Sequence, residues 1–307
     1  MSFSSEVKEE LDKHIGSSRH CQLAELAAMI FMDGSIEIKD GRACRLSLQT
    51  DNPMVSRKFF TIIRKAFNIR NSIPQNGHEF KPVLEDTALI EDILKAVKIM
   101  DPDGNIKDLT EGINPMVTKN SCCKRAFLRD SFLCVGSISD PNKGYHLEFD
   151  CSLEAQALFL QSLIESFDIE ARIVRRKKYY VLYVKEGAGI VDLLNIMEAP
   201  VSLMNLENLR IVKEMRNSIN RRVNCEVANI TKTVNAATKQ IEDITFIKDH
   251  YGFNKLQESL RQMAEVRLEH PDATLLELGT YLDPPVGKSG VNHRLRKLSE
   301  LADKIRS

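Results

Sequence analysis

The chain has 307 residues, enough for two or three domains that each bury a sizeable core. Hydrophobic residues make up 43% of it and charged residues 28%, which are ordinary values for a folded protein and exclude a disordered one. Lysine plus arginine and aspartate plus glutamate number 43 each, so a surface that binds nucleic acid must be local.

The N-terminal residues and the cysteines give expectations about location and cofactors. Residues 1–14 are charged where an export signal needs an apolar stretch, and no apolar run approaches the length of a membrane span. Cys122 and Cys123 are adjacent, but neighbours on a helix point in different directions and make poor joint ligands. No two cysteines have the C-x-x-C spacing of a zinc site; they lie at positions 21, 44, 122, 123, 134, 151 and 225. We expect a cytoplasmic protein with reduced thiols, no metal and no cofactor.

Residues 1–104 predict a first unit of helix, two strands, helix, two strands and helix. A helix ends in LAAMIFMDGSI, residues 26–36, and alternation at Cys44, Leu46 and Leu48 predicts a half-buried strand after it. An amphipathic helix over 54–67 follows, then strands over 69–84 with a turn at Asn76-Gly77, and a closing helix over 89–97.

Residues 105–204 predict the same order again. The helix ends in LRDSFLCVGSI, residues 128–138, and Leu147 and Phe149 alternate with polar residues in the strand that follows. A helix over 153–167, strands over 171–185 with a basic run at 175–178, and a closing helix over 190–197 complete the unit. We call the two helices that end in the repeated segment the motif helices.

Two differences separate the copies. Gly34 aligns with Gly136, which places Val135 opposite Asp33. Small residues at Ala24, Ala27 and Ala28 would allow the motif helices to approach closely. Arg129 and Asp130 occupy the positions of Ala27 and Ala28 in the second copy.

The double pattern resembles the LAGLIDADG homing-endonuclease fold, in which two αββαββα halves meet through their motif helices about a pseudo-two-fold axis. The resemblance implies a carboxylate at the end of each motif helix, and such a pair binds the divalent ions of phosphodiester cleavage. Valine offers no oxygen ligand, so we expect no catalytic residues and a vestigial Asp33 that hydrogen-bonds at the helix-strand corner. Glu148 and Asp150 would also present carboxylates on the sheet face that holds DNA in such nucleases.

The C-terminal third predicts helices only. Residues 205–224 read as a linker or hinge helix that breaks near 220–224, and residues 225–307 as an all-helical domain. Helices are predicted over 255–269 and 274–281, followed by a turn through 283–287. Ser289 is then the predicted N-cap of a helix with an apolar stripe at Val291, Leu295, Leu298, Leu301 and Ile305. Two short helices about a turn predict a helix-turn-helix.

The charge of the last helix favours DNA. Residues 284–299 contain four cations and no acid, in a chain whose charges otherwise balance. Asparagine and arginine can bond to adenine and guanine edges, and backbone amides at a helix start suit phosphates. The predicted DNA-binding residues are Lys288, Ser289, Asn292, His293, Arg294, Arg296 and Lys297.

The segment ELGTYLDPPVGKSGVNHRLRKL, residues 277–298, behind a degenerate double LAGLIDADG unit and an N-terminal SFSSEVKEEL, resembles the WhiA family of bacterial regulators. The resemblance covers essentially the whole chain. It implies a DNA-binding protein of Gram-positive bacteria that acts in sporulation as a transcription factor or in cell division and chromosome segregation. Asp130 departs from the small residue that the family tends to have.

The leading hypothesis is therefore a non-enzymatic, nucleoid-associated regulator that binds double-stranded DNA through the helix-turn-helix, with the LAGLIDADG-like body as a scaffold for a protein partner or a second DNA contact. One alternative is a residual metal-dependent endonuclease that uses Asp33. Another is a protein-interaction module whose DNA affinity is incidental.

Overall fold

The computed structural model describes residues 2–50, 52–69 and 81–306. It divides into two compact units, the body Met1–Lys213 and the C-terminal unit Glu214–Ser307. Within the described residues, no helix combines the length and the apolar character that crossing a membrane requires.

The first half of the body begins with α1 (Phe3–Asp12) and the motif helix α2 (Arg19–Asp33). The hairpin of β1 (Gly34–Lys39) and β2 (Arg42–Leu48) follows, then α3 (Pro53–Ala66), β3 (Val83–Leu84) and α4 (Thr87–Ala96). The three strands form an antiparallel sheet in the order β1-β2-β3. The predicted turn at Asn76-Gly77 lies outside the described residues.

A β-bulge corrects the predicted face of β2. Glu37 pairs with Arg45 and Ile38 pairs with Ala43, so Cys44 is an extra residue between the two pairs. Such an insertion reverses the alternation on one side of it. Ala43 is therefore buried and Cys44 only half-buried, whereas Leu46 and Leu48 face the core as predicted.

The second half repeats the first with all four of its strands described. It contains the motif helix α5 (Ser121–Val135), β4 (Gly136–Ile138), β5 (Leu147–Cys151), α6 (Glu154–Glu165), β6 (Arg172–Arg176), β7 (Tyr179–Val184) and α7 (Gly187–Ile196). The antiparallel sheet has the order β4-β5-β7-β6. Leu147 and Phe149 are buried and Asp150 is exposed, which confirms the predicted alternation.

The duplication is also visible in the backbone. Asn68 and Asp168 both adopt a left-handed conformation, with φ of 53° and 61°, at the ends of α3 and α6. Lys98 and Glu198 do the same after α4 and α7, with φ of 62° and 65°. A left-handed residue is a common way to end a helix. The two copies therefore terminate corresponding helices in the same way, one hundred positions apart.

The motif helices α2 and α5 pack against each other along the centre of the body. Ala24, Ala27 and Ala28 are fully buried, and Ala24 packs beside Ala126. Arg129 and Asp130 are buried in the same interface, 2% and 0% exposed. Close packing is thus retained because the charges in the second copy meet charged partners: Arg129 pairs with Glu25, and Asp130 pairs with Lys58.

One continuous helix, α8 (Pro200–His250), joins the two units. The break predicted near residues 220–224 is therefore wrong. Asparagine lowers helix propensity only modestly, and the sequence from Val201 to Tyr251 contains neither glycine nor proline. Arg222 and Glu226 also form an ion pair one helical turn apart across this segment.

The C-terminal unit adds α9 (Glu258–Glu269), α10 (Leu275–Thr280) and α11 (Lys288–Arg306) to the end of α8. Helix α9 begins three residues later than predicted, because Phe253–Lys255 forms a separate turn of 3₁₀ helix. A second hydrophobic core holds these helices together, formed by Ile244, Ile247, Met263, Ala264, Leu278, Leu282, Val291, Leu295, Leu298 and Ala302.

Candidate nucleic-acid interface

A capping box fixes the start of α10. Thr274 accepts a hydrogen bond from the Glu277 backbone amide at 3.3 Å, and Glu277 accepts one from the Thr274 amide at 2.7 Å. These reciprocal bonds satisfy amides that a helix start leaves free. The buried Arg267 of α9 donates to the Ala273 carbonyl at 2.7 Å. The first helix of the predicted helix-turn-helix is therefore held at its N-terminus by both its own cap and its neighbour.

The turn between α10 and α11 requires glycine at position 279. A Cβ on Gly279 would lie 2.0 Å from the carbonyl oxygen of Val286, and the Gly279 carbonyl accepts a hydrogen bond from the Val286 amide at 2.9 Å. Only a residue without a side chain allows the turn to approach α10 so closely. This contact sets the position from which α11 begins.

Helix α11 has a buried face and an exposed face. Val291, Leu295, Leu298 and Ala302 are at most 1% exposed and pack into the core of the unit. Arg306 donates to the buried Asp243 of α8 at 2.8 Å, which fixes the far end of the helix. The predicted apolar stripe therefore anchors α11 and leaves its opposite face free for a ligand.

Six of the seven predicted DNA-binding residues lie on the exposed face. They are spaced at four-residue intervals in two adjacent rows, Lys288 with Asn292 and Arg296, and Ser289 with His293 and Lys297. Residues four apart are neighbours on a helix, so the rows form one surface of cations and hydrogen-bonding groups. A helix with such a surface fits the width of the major groove of B-form DNA.

Arg294 and Ser289 differ from the sequence expectation in their local roles. Arg294 is half-buried and reaches the Ser259 carbonyl of α9 at 3.5 Å, the outer limit of a hydrogen bond. Helix α11 begins at Lys288, so Ser289 occupies its first turn and is not its N-cap. Arg296 pairs with Glu300 on the same helix at 3.0 Å, an exposed pair that DNA could displace at little cost.

Asp33, which we predicted to be vestigial, lies at the C-terminal end of α2. Lys8 of α1 lies near Asp33, and both Lys8 and the Cys134 thiol stabilise the charged form of the Asp33 carboxyl. Burial raises the pKa of Asp33 to about 6, against the opposing effects of Lys8 and Cys134. Within residues 2–50, 52–69 and 81–306, no group of three metal-binding side chains includes Asp33.

Lys8 is a residue that sequence reasoning missed. It lies 25 positions before Asp33, and burial lowers the pKa of its ammonium group while Cys134 and Asp33 oppose that shift. Nothing in the local pattern of α1 marks it, because Lys8 is one of several charged residues in an amphipathic helix. The ammonium group places a positive charge near the carboxylate that a divalent ion would need.

The open sheet face of the second half carries both signs of charge. Glu148 of β5 accepts from Arg176 of β6 at 3.1 Å and contacts His146 at 2.8 Å. Burial and the neighbouring Glu148 raise the pKa of Asp150. The arginine nearest these carboxylates is thus already paired, which leaves this face less suited to phosphates than α11.

Three family models match successive parts of the chain. The WhiA N-terminal LAGLIDADG-like domain matches residues 19–77, the WhiA LAGLIDADG-like domain matches 124–216, and the WhiA C-terminal HTH domain matches 219–302. The fold is accordingly a tandem of LAGLIDADG-like halves followed by a helical helix-turn-helix domain.

Full-length relatives support the same assignment. The chain is 51% identical to the probable cell division protein WhiA of Lachnoclostridium phytofermentans, with 100% of both chains covered. It is 47% identical to the protein of that name from Alkaliphilus oremlandii, over 99% of this chain and 98% of the relative. The crystal structure of full-length DUF199/WhiA from T. maritima shares the fold, with a TM-score of 0.59 and 24% identity over 99% of each chain. The chain belongs to the WhiA family.

Proposed function

We propose that this protein is a non-enzymatic regulator that binds double-stranded DNA by inserting α11 into the major groove. The observation that carries the proposal is the opposition of the two faces of α11. Its apolar residues are buried, while Lys288, Asn292 and Arg296 are exposed in one row on the other side.

Each exposed residue has a role in this proposal. Arg296 would read guanine and Asn292 would read adenine, because each can form two hydrogen bonds to the major-groove edge of that base. Lys288, Ser289, His293 and Lys297 would bind phosphates or neighbouring bases. Half-buried Arg294 would contact DNA at the edge of the surface while it steadies the packing of α11 on α9.

The biological role is also a proposal, and the name of the relatives supports its cell-division part. Relatives bear the name probable cell division protein, and a helix-turn-helix is a common means of binding DNA. We propose a nucleoid-associated protein that controls transcription, in sporulation or in cell division and chromosome segregation. Its domains would be residues 1–104, 105–204, 205–224 as a helical linker and 225–307, with the first two as a scaffold for a protein partner.

Duplex binding at several salt concentrations tests the DNA surface. Duplexes selected from a random pool by the full-length protein serve as the ligand. Arg296→Ala should weaken binding by about 10-fold or more, since a bidentate base contact contributes roughly 1–3 kcal/mol. Lys288→Ala should reduce the slope of log affinity against log salt by about 0.9. Lys248→Ala, which removes an exposed lysine from α8, is the matched control and should change neither quantity.

Plasmid nicking separates this proposal from a residual endonuclease. Supercoiled plasmid is incubated with the protein and magnesium or manganese, and Asp33→Asn is the control. We expect no nicking above that of the Asp33→Asn variant, because Lys8 is near Asp33 and Val135 replaces a second carboxylate. Cleavage that disappears in Asp33→Asn would establish the endonuclease instead.

A further inference from the structure

Four metal-binding side chains converge where the N-terminal ends of the motif helices meet. His20 and Cys21 come from α2, and Cys122 and Cys123 come from α5. Nδ1 of His20 lies 3.2 Å from Sγ of Cys123, 3.3 Å from Sγ of Cys21 and 3.9 Å from Sγ of Cys122. We propose that these four residues, which we call the Cys3His cluster, bind one zinc ion.

The distances between the ligand atoms fit a tetrahedral ion. Zinc bound to sulfur at about 2.3 Å and to nitrogen at about 2.0 Å separates its ligand atoms by roughly 3.5–3.8 Å. All four candidate ligand atoms lie within 4.8 Å of one another, so small side-chain rotations would complete the tetrahedron. Three thiols and an imidazole are a known set for structural zinc, and they disfavour magnesium or calcium, which prefer oxygen.

The duplication explains how adjacent residues can share one ion. Cys21 and Cys123 are equivalent positions of the two copies, as are His20 and Cys122, each pair 102 residues apart. Each copy supplies the second and third residues of its motif helix. The ion would lie between the helices, so neighbouring side chains that diverge on one helix converge with those of the other. Sequence spacing does not reveal the cluster because no short C-x-x-C motif is used.

Burial and charge at the cluster suit a bound cation. Cys21 and Cys123 are buried and pack against Ala24 and Ala126, whereas His20 and Cys122 are exposed and leave a route for the ion from solvent. Zinc displaces thiol protons when it binds, and the N-terminal ends of two helices favour the resulting thiolates.

A cobalt titration of the full-length protein tests the proposal. The reduced protein is first freed of metal with a chelator, which is then removed. It is titrated with Co²⁺, which reports tetrahedral thiolate binding through its d–d and charge-transfer bands. Zn²⁺ is then added to displace the Co²⁺. We expect one ion per chain. The main variants are His20→Ala and Cys122→Ser, because these two residues are exposed and their replacement disturbs no core packing. Each variant should weaken metal binding by about 100-fold or more. Cys225→Ser removes an exposed cysteine of α8 and is the matched control with wild-type affinity.

Hydrogen exchange provides a second readout. Zinc should slow amide exchange in the first turns of both α2 and α5, and Cys122→Ser should abolish this protection. Octahedral cobalt spectra, or affinity that Cys122→Ser leaves unchanged, would overturn the proposal. A reduced protein that takes up no metal and instead joins Cys21 to Cys123 as a disulfide in air would also overturn it, and would identify the cluster as a redox pair.

Discussion

Arg129 donates a hydrogen bond to Oε1 of Glu25 at 2.6 Å, across the interface between the motif helices. The same guanidinium group contacts Glu198, and the adjacent Asp130 lies 3.0 Å from Nζ of Lys58. The side chains of Glu25, Lys58, Arg129 and Asp130 are at most 2% exposed. A charged network therefore replaces small residues at the centre of the body.

Replacing Arg129 by methionine should lower the free energy of unfolding by about 3–5 kcal/mol, because Glu25 would be left as a buried carboxylate without its arginine partner, whereas Asp130 would keep Lys58. Chemical denaturation followed by circular dichroism measures the change. Arg172→Met is the matched control, since Arg172 pairs with Glu170 on the surface and its loss should cost less than about 1 kcal/mol. Equal effects of the two variants would contradict a structural role for the network.

The raised pKa of Asp33 predicts how stability depends on pH. The pKa lies near 6 in the folded protein and at 3.8 in an ordinary aspartate, so the folded state binds this proton more tightly than the unfolded state. The stability contributed by this carboxyl is therefore greatest at acid pH and declines as pH rises from about 4 to about 6. Asp33→Asn should remove the decline, so its stability relative to wild type should increase by about 2–3 kcal/mol across this range. Denaturation of both proteins at matched pH values checks this, and a constant difference would contradict it.

Glu300 should limit the DNA affinity of α11. It pairs with Arg296 at 3.0 Å and places a negative charge beside the proposed phosphate-binding surface. Glu300→Gln should release Arg296 and strengthen duplex binding by about two- to three-fold, the size expected for an exposed pair one helical turn apart. Duplex titration at low salt measures the effect. Glu265→Gln on α9 is the control for charge alone, and weaker binding by Glu300→Gln would count against the assigned face.

Gly279→Ala should disrupt the helix-turn-helix. The added Cβ would lie 2.0 Å from the Val286 carbonyl oxygen, so the turn must move and α11 with it. We expect destabilisation of the C-terminal unit by more than about 1 kcal/mol and a matching loss of DNA affinity. Gly287→Ala is the matched control, because a Cβ there meets nothing within 4 Å. Amide hydrogen exchange should become faster in α10 and α11 of Gly279→Ala than in those of Gly287→Ala. Exchange in α2 and α5 should be the same in both variants.

The sequence was sufficient to predict features that depend on local periodicity and repetition. The duplication, the strand with Leu147 and Phe149, and the apolar stripe of α11 are visible as patterns of two or of three to four residues. The family models confirm the tandem LAGLIDADG-like halves and the helix-turn-helix that these patterns predicted. The individual DNA-binding residues remain predictions.

Features that depend on long-range contacts were not predictable. The bulge at Cys44 arises from pairing with β1, and Lys8 approaches Asp33 only because α1 packs against the second motif helix, α5. The predicted break in α8 gave too much weight to its asparagines. Asparagine lowers helix propensity but does not prevent the backbone hydrogen bonds of a helix. The Cys3His cluster unites residues from two copies, so its spacing resembles no single motif.

The asymmetry of the motif helices has a consequence for assembly. The second copy has Phe127 where the first has Glu25, so two second halves would bury a pair of Arg129 side chains that lack Glu25 and keep only Glu198 and Asp130 as partners. Two first halves would bury a pair of Glu25 side chains against Ala27 and Ala28. The Arg129–Glu25 pair forms only between unlike halves. We therefore expect each half, expressed without the other, to associate with a second copy of itself through this helix face less stably than with its natural counterpart.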